Sequence, residues 1–443
     1  MRRSAVAVSL AALVLLAGVP AAAQDRPAVV VTPGASRTFK VAVQDFLDTS
    51  AAPKPGRSAK FREYIENGLE FSGVVDALSH AAFLGPETSG ALDGGRQVVC
   101  GDWSQIGADA LVEGTLRVDT ELVVDYRVWD ATRCTRLARK RYRQPATADP
   151  AAVGRRIADD IVAAFLGVRG VSATELAFVS TRKGNTEIFV VGVDGSNPRA
   201  ATANGSINAF PSWTPEGDGI VYTSYRHRDT PRLFLSSRGR GRPGRLLRSL
   251  RGGYAEYRGV YAPDGKSLLV VLSAPGAASD IYRVRPQGTK ATALSRHRAI
   301  EVAPAWSPDG RQVAFASDRT GAPQIYLMSA DGSNQRRLTF QGSYNSHPAW
   351  SPDGRWIAYE SRIGGQFDIW LTDPEGSVSL PLVQHPRSDE TPSWAPNSRK
   401  LAFSSRRRGR ADIYVIDVNG ENMRRITQGA GDNTSPSWGP FPR

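Results

Sequence analysis

One phrase recurs along the second half of this chain and limits what it can fold into. Pro-Ala-Trp-Ser-Pro-Asp-Gly-Arg stands at Pro304–Arg311 and again at Pro348–Arg355, with weaker copies around both. Its aromatic member falls at Trp213, Tyr261, Trp306, Trp350, Trp394 and Trp438, at spacings of 48, 45, 44, 44 and 44 residues. A fixed period of this length requires stacked or radially arranged repeat units. Within each unit, proline sets φ for the first central position of a tight turn and glycine accepts the positive φ that closes it. An apolar run such as Val313–Ser317 follows, then Ile325–Met328, a second Asp-Gly turn at Asp331-Gly332, and Arg337–Thr339. Four short antiparallel strands per unit describe one propeller blade.

The register predicts how the ring closes. A second strand begins seven residues after five of the aromatics, at Ile220, Leu268, Val313, Ile357 and Leu401. Trp438 has too little chain after it for such a strand, whereas Leu176–Ser180 is such a strand with no Trp phrase before it. The C-terminal Trp strand is therefore expected to complete the first blade, giving six blades and no long free sheet edge.

Ahead of the repeats, residues 1–23 read as a targeting segment. Arg2 and Arg3 precede the apolar run Ala5–Leu16, and Ala21-Ala22-Ala23 fits small-residue cleavage, so the mature chain is expected to start at Gln24. The alternative is a single membrane anchor, for which the run is short. From 24 to 170 an α/β unit is expected. Its strands are Phe39–Phe46, Ala110–Val118, Leu122–Asp130 and Arg136–Arg143. Its helices are Ser58–Phe71 and Ala151–Leu166, the latter with Val153, Ile157, Ile161 and Phe165 on one face. The fold class is thus an α/β N-terminal domain followed by an all-β six-bladed propeller, 171–443. Cys100 and Cys134 either pair in an oxidising compartment or remain two buried thiols. Val29-Val30-Val31 is either part of a frayed terminus or a strand that adds to a partner's sheet edge.

The chemistry-bearing patterns are few. Gly239–Gly244 spells G-x-G-x-x-G, but inside a blade repeat with no βαβ unit around it. No nucleophile elbow is present, and the five histidines show no paired metal spacing, so no cofactor and no metal site are expected. The Asp-Gly turns lack the S-x-D-x-G-x-x-W form of sialidases. An adjacent carboxylate pair such as Asp389-Glu390 could do acid/base work, the alternative being a solvated loop pair. The formal net charge of +13 concentrates in Arg226–Arg251 and Arg406–Arg410. These are either solvated blade loops or a surface for acidic partners or an anionic envelope; an exported chain argues against nucleic acid.

The positions just before and at the start of each inner strand ring one mouth of the central channel. They are Asn208 and Phe210, Glu256, Tyr257 and Arg258, Glu301 and Val302, Asn345, Ser346 and His347, Asp389, Glu390 and Thr391, and Asn433 and Thr434. Acids, amides, aromatics and a histidine on a rigid scaffold suit recognition of a partner, the alternative being polar groups that hold channel water.

Signal segment, α/β domain and six blades in this order resemble the TolB family. The resemblance also rests on Trp103–Val112, on Leu166-Gly167-Val168-Arg169-Gly170 and on the ending Pro436-Ser437-Trp438-Gly439-Pro440. It implies a non-enzymatic, monomeric periplasmic adaptor, peripheral to the outer membrane only through its partners. The mouth residues would bind the peptidoglycan-associated lipoprotein Pal, and Val29–Val31 would face TolA, in support of outer-membrane integrity and constriction at division. The chain departs from the family at Arg258-Gly259-Val260-Tyr261 where other repeats carry Pro and Trp, in a mature N-terminus unlike the family's short apolar segment, in its two cysteines and in its arginine-rich loops. An exported propeller hydrolase, peptidase- or glycosidase-like, is the alternative reading.

Overall fold

The computed structural model describes residues 38–84, 98–226, 230–237, 244–247, 253–288 and 290–442. The targeting segment, Val29–Val31, the glycine-rich loop 85–96 and most of Gly239–Gly244 lie outside the described residues.

The N-terminal part is a mixed sheet. β1 (Phe39–Val43) runs parallel to β3 (Val75–Ala77) and to β4 (Ala110–Val118), and β2 (Leu47–Asp48) also pairs parallel with β4. β5 (Glu121–Asp130) and β6 (Thr135–Pro145) continue antiparallel. Two helices cover one face: α1 (Arg57–Ser72) buries Phe61, Ile65 and Leu69, and α3 (Pro150–Leu166) buries Val153, Ile157 and Ile161. Each meets the other at a glycine. A Cβ on Gly68 would lie 2.6 Å from the Ala158 Cβ, and one on Gly154 would lie 2.7 Å from the Tyr64 Cβ, so the helices approach too closely for any larger residue. On the other side, α2 (Cys100–Gln105) sits over a small cluster of Trp103, Leu111 and Ala131. The two cysteines are joined: Cys100 to Cys134 is a disulfide that closes a loop of sequence separation 34, with Cys134 exposed rather than a buried thiol.

From Glu175 on, the described residues form six four-stranded antiparallel sheets. Five are built from consecutive strands, with innermost strands Asn208–Trp213, Ala255–Tyr261, Glu301–Trp306, Asn345–Trp350 and Asp389–Trp394 (blades 2 to 6). Blade 1 takes its innermost strand, Asn433–Trp438, from the C-terminus. That strand pairs with Glu175–Lys183, with Trp438 opposite Leu176 and Asn433 opposite Ser180. The second strands read as apolar runs because neighbouring blades cover both of their faces; Gly219–Ser224 and Lys400–Ser405 are buried along their whole length. The repeated phrase is the blade's fastener. In Ser307-Pro-Asp-Gly the Ser307 hydroxyl donates to Asp309 Oδ1 (2.6 Å) and accepts from the Gln312 N–H (2.9 Å), and Gly310 supplies φ +70°. The indoles of Trp213 and Trp394 donate to carbonyls of the preceding blade, Ser437 O (3.0 Å) and Ala349 O (2.9 Å).

The N-terminal unit rests on the Asp-Gly-turn side of the ring, at blades 1 and 6. Phe71 enters a cluster with Leu176, Ala402 and Trp438, Arg424 donates to Glu70 O (3.1 Å), and Arg155 pairs with Asp194 (3.1 Å). The junction is pinned by Asp159 of α3, 1% exposed, which accepts from Ser172 N and Oγ (2.7 Å each) and Ala173 N (3.0 Å). The mouth where the innermost strands begin is the other end of the ring.

Candidate functional site

A residue at the start of each innermost strand, the first in five blades and the second in blade 3, is not at the surface. Asn208, Glu256, Glu301, Asn345, Asp389 and Asn433 are all fully buried, and Ser346 nearly so. Their side chains join blades. Asn208 Nδ2 donates to Glu187 on the third strand of blade 1 (3.0 Å), Asn345 Nδ2 to Gln324 of blade 4 (2.8 Å), and Asn433 Nδ2 to Asp412 of blade 6 (3.3 Å). A threonine after the fourth strand completes each of these three knots: Thr202 to Glu187 (2.5 Å), Thr339 to Gln324 (2.9 Å), Thr427 to Asp412 (3.0 Å).

An arginine at the end of the second strand or just past it braces the same corner. Arg407 donates to both oxygens of Asp389 (3.1 Å each), Arg319 pairs with Glu301, and Arg182 reaches Asn433 Oδ1 (3.1 Å). Each lies over an aromatic ring of the third strand, Tyr414, Tyr326 and Phe189, at 4.7–4.8 Å. In blade 3 the brace comes from the neighbouring blade, Arg232 to Glu256 (3.5 Å). These buried charges are held because each is paired and hydrogen-bonded. Part of the arginine richness is therefore structural. Asp389 and Glu390 also do not face one void: Asp389 is fully buried and bound to Arg407, whereas Glu390 is half-buried.

Two residues further on, every innermost strand carries a bulge. The register shifts there in all six blades, and the bulged residue has a positive φ: Phe210 (52°), Arg258 (50°), Ala303 (54°), His347 (49°), Thr391 (54°) and Ser435 (51°). A non-glycine residue in this region costs on the order of 1–3 kcal/mol and persists only where the surroundings hold it. With the belt Pro211, Pro304, Pro348, Pro392 and Pro436 that follows them, four of the six bulged residues line a channel of about 150 Å³. Of the other two, Ala303 is buried and His347 is held on Glu360, whereas Ser435, which lines the channel, lies one residue beyond the expected Thr434; its place directly before the belt proline is the signal that marks it.

The channel side is also where the charges are perturbed. Glu360, on the second strand of blade 5 and 5% exposed, bonds His347 Nδ1 (2.8 Å) and accepts from the Thr391 N–H (3.0 Å). Burial pushes its carboxyl up, but His347, that amide and Arg258 outweigh it and hold Glu360 below the usual carboxylate range. Glu390 is pushed the other way, by burial first and by the charge of Glu360 second. Burial pulls the Arg258 guanidinium down to about 10, so it stays charged at neutral pH; it keeps some contact with channel solvent yet is walled in by protein. Tyr257, Val302 and Thr434 are half-buried around the opening. Exposed on its rim, each just before an innermost strand, are Ile207 (53%), Ile300 (51%) and Tyr344. Among the described residues no cluster of His, Cys, Asp or Glu is arranged to hold a metal ion, and no helix is long and apolar enough to cross a membrane.

Residues 27–137 match the family model of the TolB amino-terminal domain, and residues 252–442 that of the TolB beta propeller domain. The Tol-Pal system protein TolB of Anaeromyxobacter sp. is 35% identical over 305 residues, 68% of this chain and 67% of that protein. That of Bordetella pertussis is 32% identical over 334 residues, 73% of this chain and 70% of that protein. The crystal structure of TolB from Acinetobacter baumannii superposes with a TM-score of 0.76 over 91% of this chain and 97% of that one, at 22% identity, which speaks for the fold. The chain belongs to the TolB family.

Proposed function

We propose that this protein is a non-enzymatic periplasmic adaptor of the Tol-Pal system. The propeller mouth binds the lipoprotein Pal, and the N-terminal segment around Val29–Val31 engages TolA, together supporting outer-membrane integrity and constriction at division. The observation that carries the reading is the mouth's construction. Buried knots fix the start of each innermost strand, so the bulged residues and the rim of Ile207, Ile300 and Tyr344 are presented in one arrangement, on the end of the ring away from the N-terminal unit. A surface fixed before contact loses little entropy on binding. A hydrolase reading has little to act with: Asp389, Glu301 and Glu256 are bound to Arg407, Arg319 and Arg232, only Glu390 of the mouth carboxylates is without such a partner among the described residues, and the aspartates of the Asp-Gly turns are spent on their own turns.

The test is titration of the mature protein with the soluble domain of Pal and, separately, with the C-terminal domain of TolA. Ile207→Asp combined with Ile300→Asp is expected to weaken Pal binding at least about tenfold, a loss of roughly 1.4 kcal/mol, while leaving Tm nearly unchanged, since both side chains are exposed. Removal of residues 24–36 is expected to abolish TolA binding and spare Pal. Undiminished Pal affinity in the double variant removes the mouth as the site; peptide or glycoside hydrolysis lost on Glu390→Gln overturns the adaptor reading.

A further inference from the structure

Arg258 breaks the pattern of the ring. At the other five bulges the residue is Phe, Ala, His, Thr or Ser and proline follows; blade 3 has Arg258 followed by Gly259. The Arg258 backbone N–H is fixed on Thr223 Oγ1 (3.0 Å) and its guanidinium lies 6.0 Å from the centre of the Phe210 ring, at the channel wall. Among the described residues that guanidinium makes no hydrogen bond and no ion pair. The acid that faces it, Glu360, has its carboxylate committed to His347 and to the Thr391 amide. A walled-in cation with a planar fork of unused donors is a site for a carboxylate, whose geometry it matches with two parallel hydrogen bonds.

Two surrounding features say where that carboxylate comes from. The rim just outside is apolar on blades 2, 4 and 5 (Ile207, Ile300, Tyr344), which suits a protein collar and not a free ion. Beyond the rim, Lys183, Arg296, Arg298, Arg387, Arg408 and Arg410 are exposed on loops of the same face and form no ion pair among the described residues. An unpaired cation at the centre, an apolar collar and a cationic perimeter are complementary to a protein that carries an acid on a projecting loop within an acidic surface. We propose that the channel receives an aspartate or glutamate side chain of the docked partner, which pairs with Arg258. This rests on the mouth being the Pal site and specifies what Pal must present there.

Isothermal titration of the mature protein with the soluble domain of Pal from the same organism, over a range of salt, tests it. Arg258→Gln is expected to lose about thirtyfold or more in affinity, as for one partner removed from a desolvated charge pair, while its Tm is unchanged or raised, because an unpaired enclosed charge has been removed. Arg258→Lys keeps the charge without the fork and is expected to fall between the two. Arg387→Gln with Arg410→Gln is expected to flatten the salt dependence and slow association. Affinity of Arg258→Gln and Arg258→Lys within about twofold of the parent overturns the inference and leaves Pal binding standing. Failure of the unaltered protein to bind Pal overturns both.

Discussion

Asp159 offers a test of how the two halves of the chain are joined. Its carboxylate is buried at the turn of chain that leads into blade 1 and accepts three hydrogen bonds from Ser172 and Ala173. Burial is the larger effect and those bonds the smaller, so its pKa is raised from 3.8 to about 6. The folded protein therefore holds this proton more tightly than the unfolded chain. The resulting stability is fully present below about pH 4 and is lost as pH rises through about 6. The two-unit difference corresponds to roughly 3 kcal/mol at most. Asp159→Asn removes the titration, so the stability of the parent relative to the variant falls by up to that amount between pH 4 and pH 7. At pH 4 the variant is the less stable, by about 1–3 kcal/mol, because its amide nitrogen faces the Ala173 N–H in place of an acceptor. Urea midpoints followed by tryptophan fluorescence from pH 4 to 8 measure both, and other titrations cancel in the difference. Parallel curves for parent and variant would show that the amide donors outweigh burial and would refute the reasoning.

Two further outcomes are expected. Trp438→Ala removes the buried indole that donates to Thr174 Oγ1 (2.8 Å) and packs with Phe71 and Leu176, and is expected to cost about 3–5 kcal/mol in chemical unfolding; a cost under 1 kcal/mol means the C-terminal strand does not close the ring. Reduction of Cys100–Cys134 is expected to lower stability by up to roughly 4 kcal/mol, the chain-entropy value for a loop of this length, and paired Cys→Ala replacements read under reducing conditions separate that from side reactions of the reductant.

How far the sequence foretold this structure depends on whether a feature was written in one blade or made by several. The Trp phrase and the strand seven residues beyond it are local, so the blade number and the pairing of Trp438 with Leu176 followed from counting. The bulge is not local in that sense. Its αL positions hold Phe, Arg, Ala, His, Thr and Ser, with no glycine or asparagine to advertise a positive φ, because the knots on either side impose the conformation. Residues two apart on a regular strand share a face; the bulge breaks that rule, so Asn208 and Asp389 are buried at the blade seams while Phe210 and Thr391 line the channel. Val75–Ala77 is too short to show a period, and its parallel pairing with β1 is set by α1 returning the chain. Asp159 reads as the polar side of an amphipathic helix and is buried only because 170–173 cross over it.

The bulge also separates two demands that would otherwise fall on the same residues. Ring closure needs near-identical chemistry at every blade interface, and the opening residues supply it: an amide or acid, met by an acceptor or arginine of a neighbouring strand. Recognition needs chemistry that differs from blade to blade. In the proposed adaptor, a recognition position two residues along and at positive φ is freed from the interface, so one blade presents Phe210, another Thr391 and a third Arg258 without changing how the blades are fastened. Phe210 and the arginine it faces come from adjacent blades, as do His347 and Thr391, which meet through Glu360. A substitution at a bulge is then expected to alter binding more than stability, and one at an opening residue the reverse. Asp389→Ala, which leaves Arg407 enclosed without its carboxylate, belongs to the second kind, with a cost of about 3–5 kcal/mol. If it weakened partner binding while leaving the urea midpoint in place, this division of labour between neighbouring positions would be wrong.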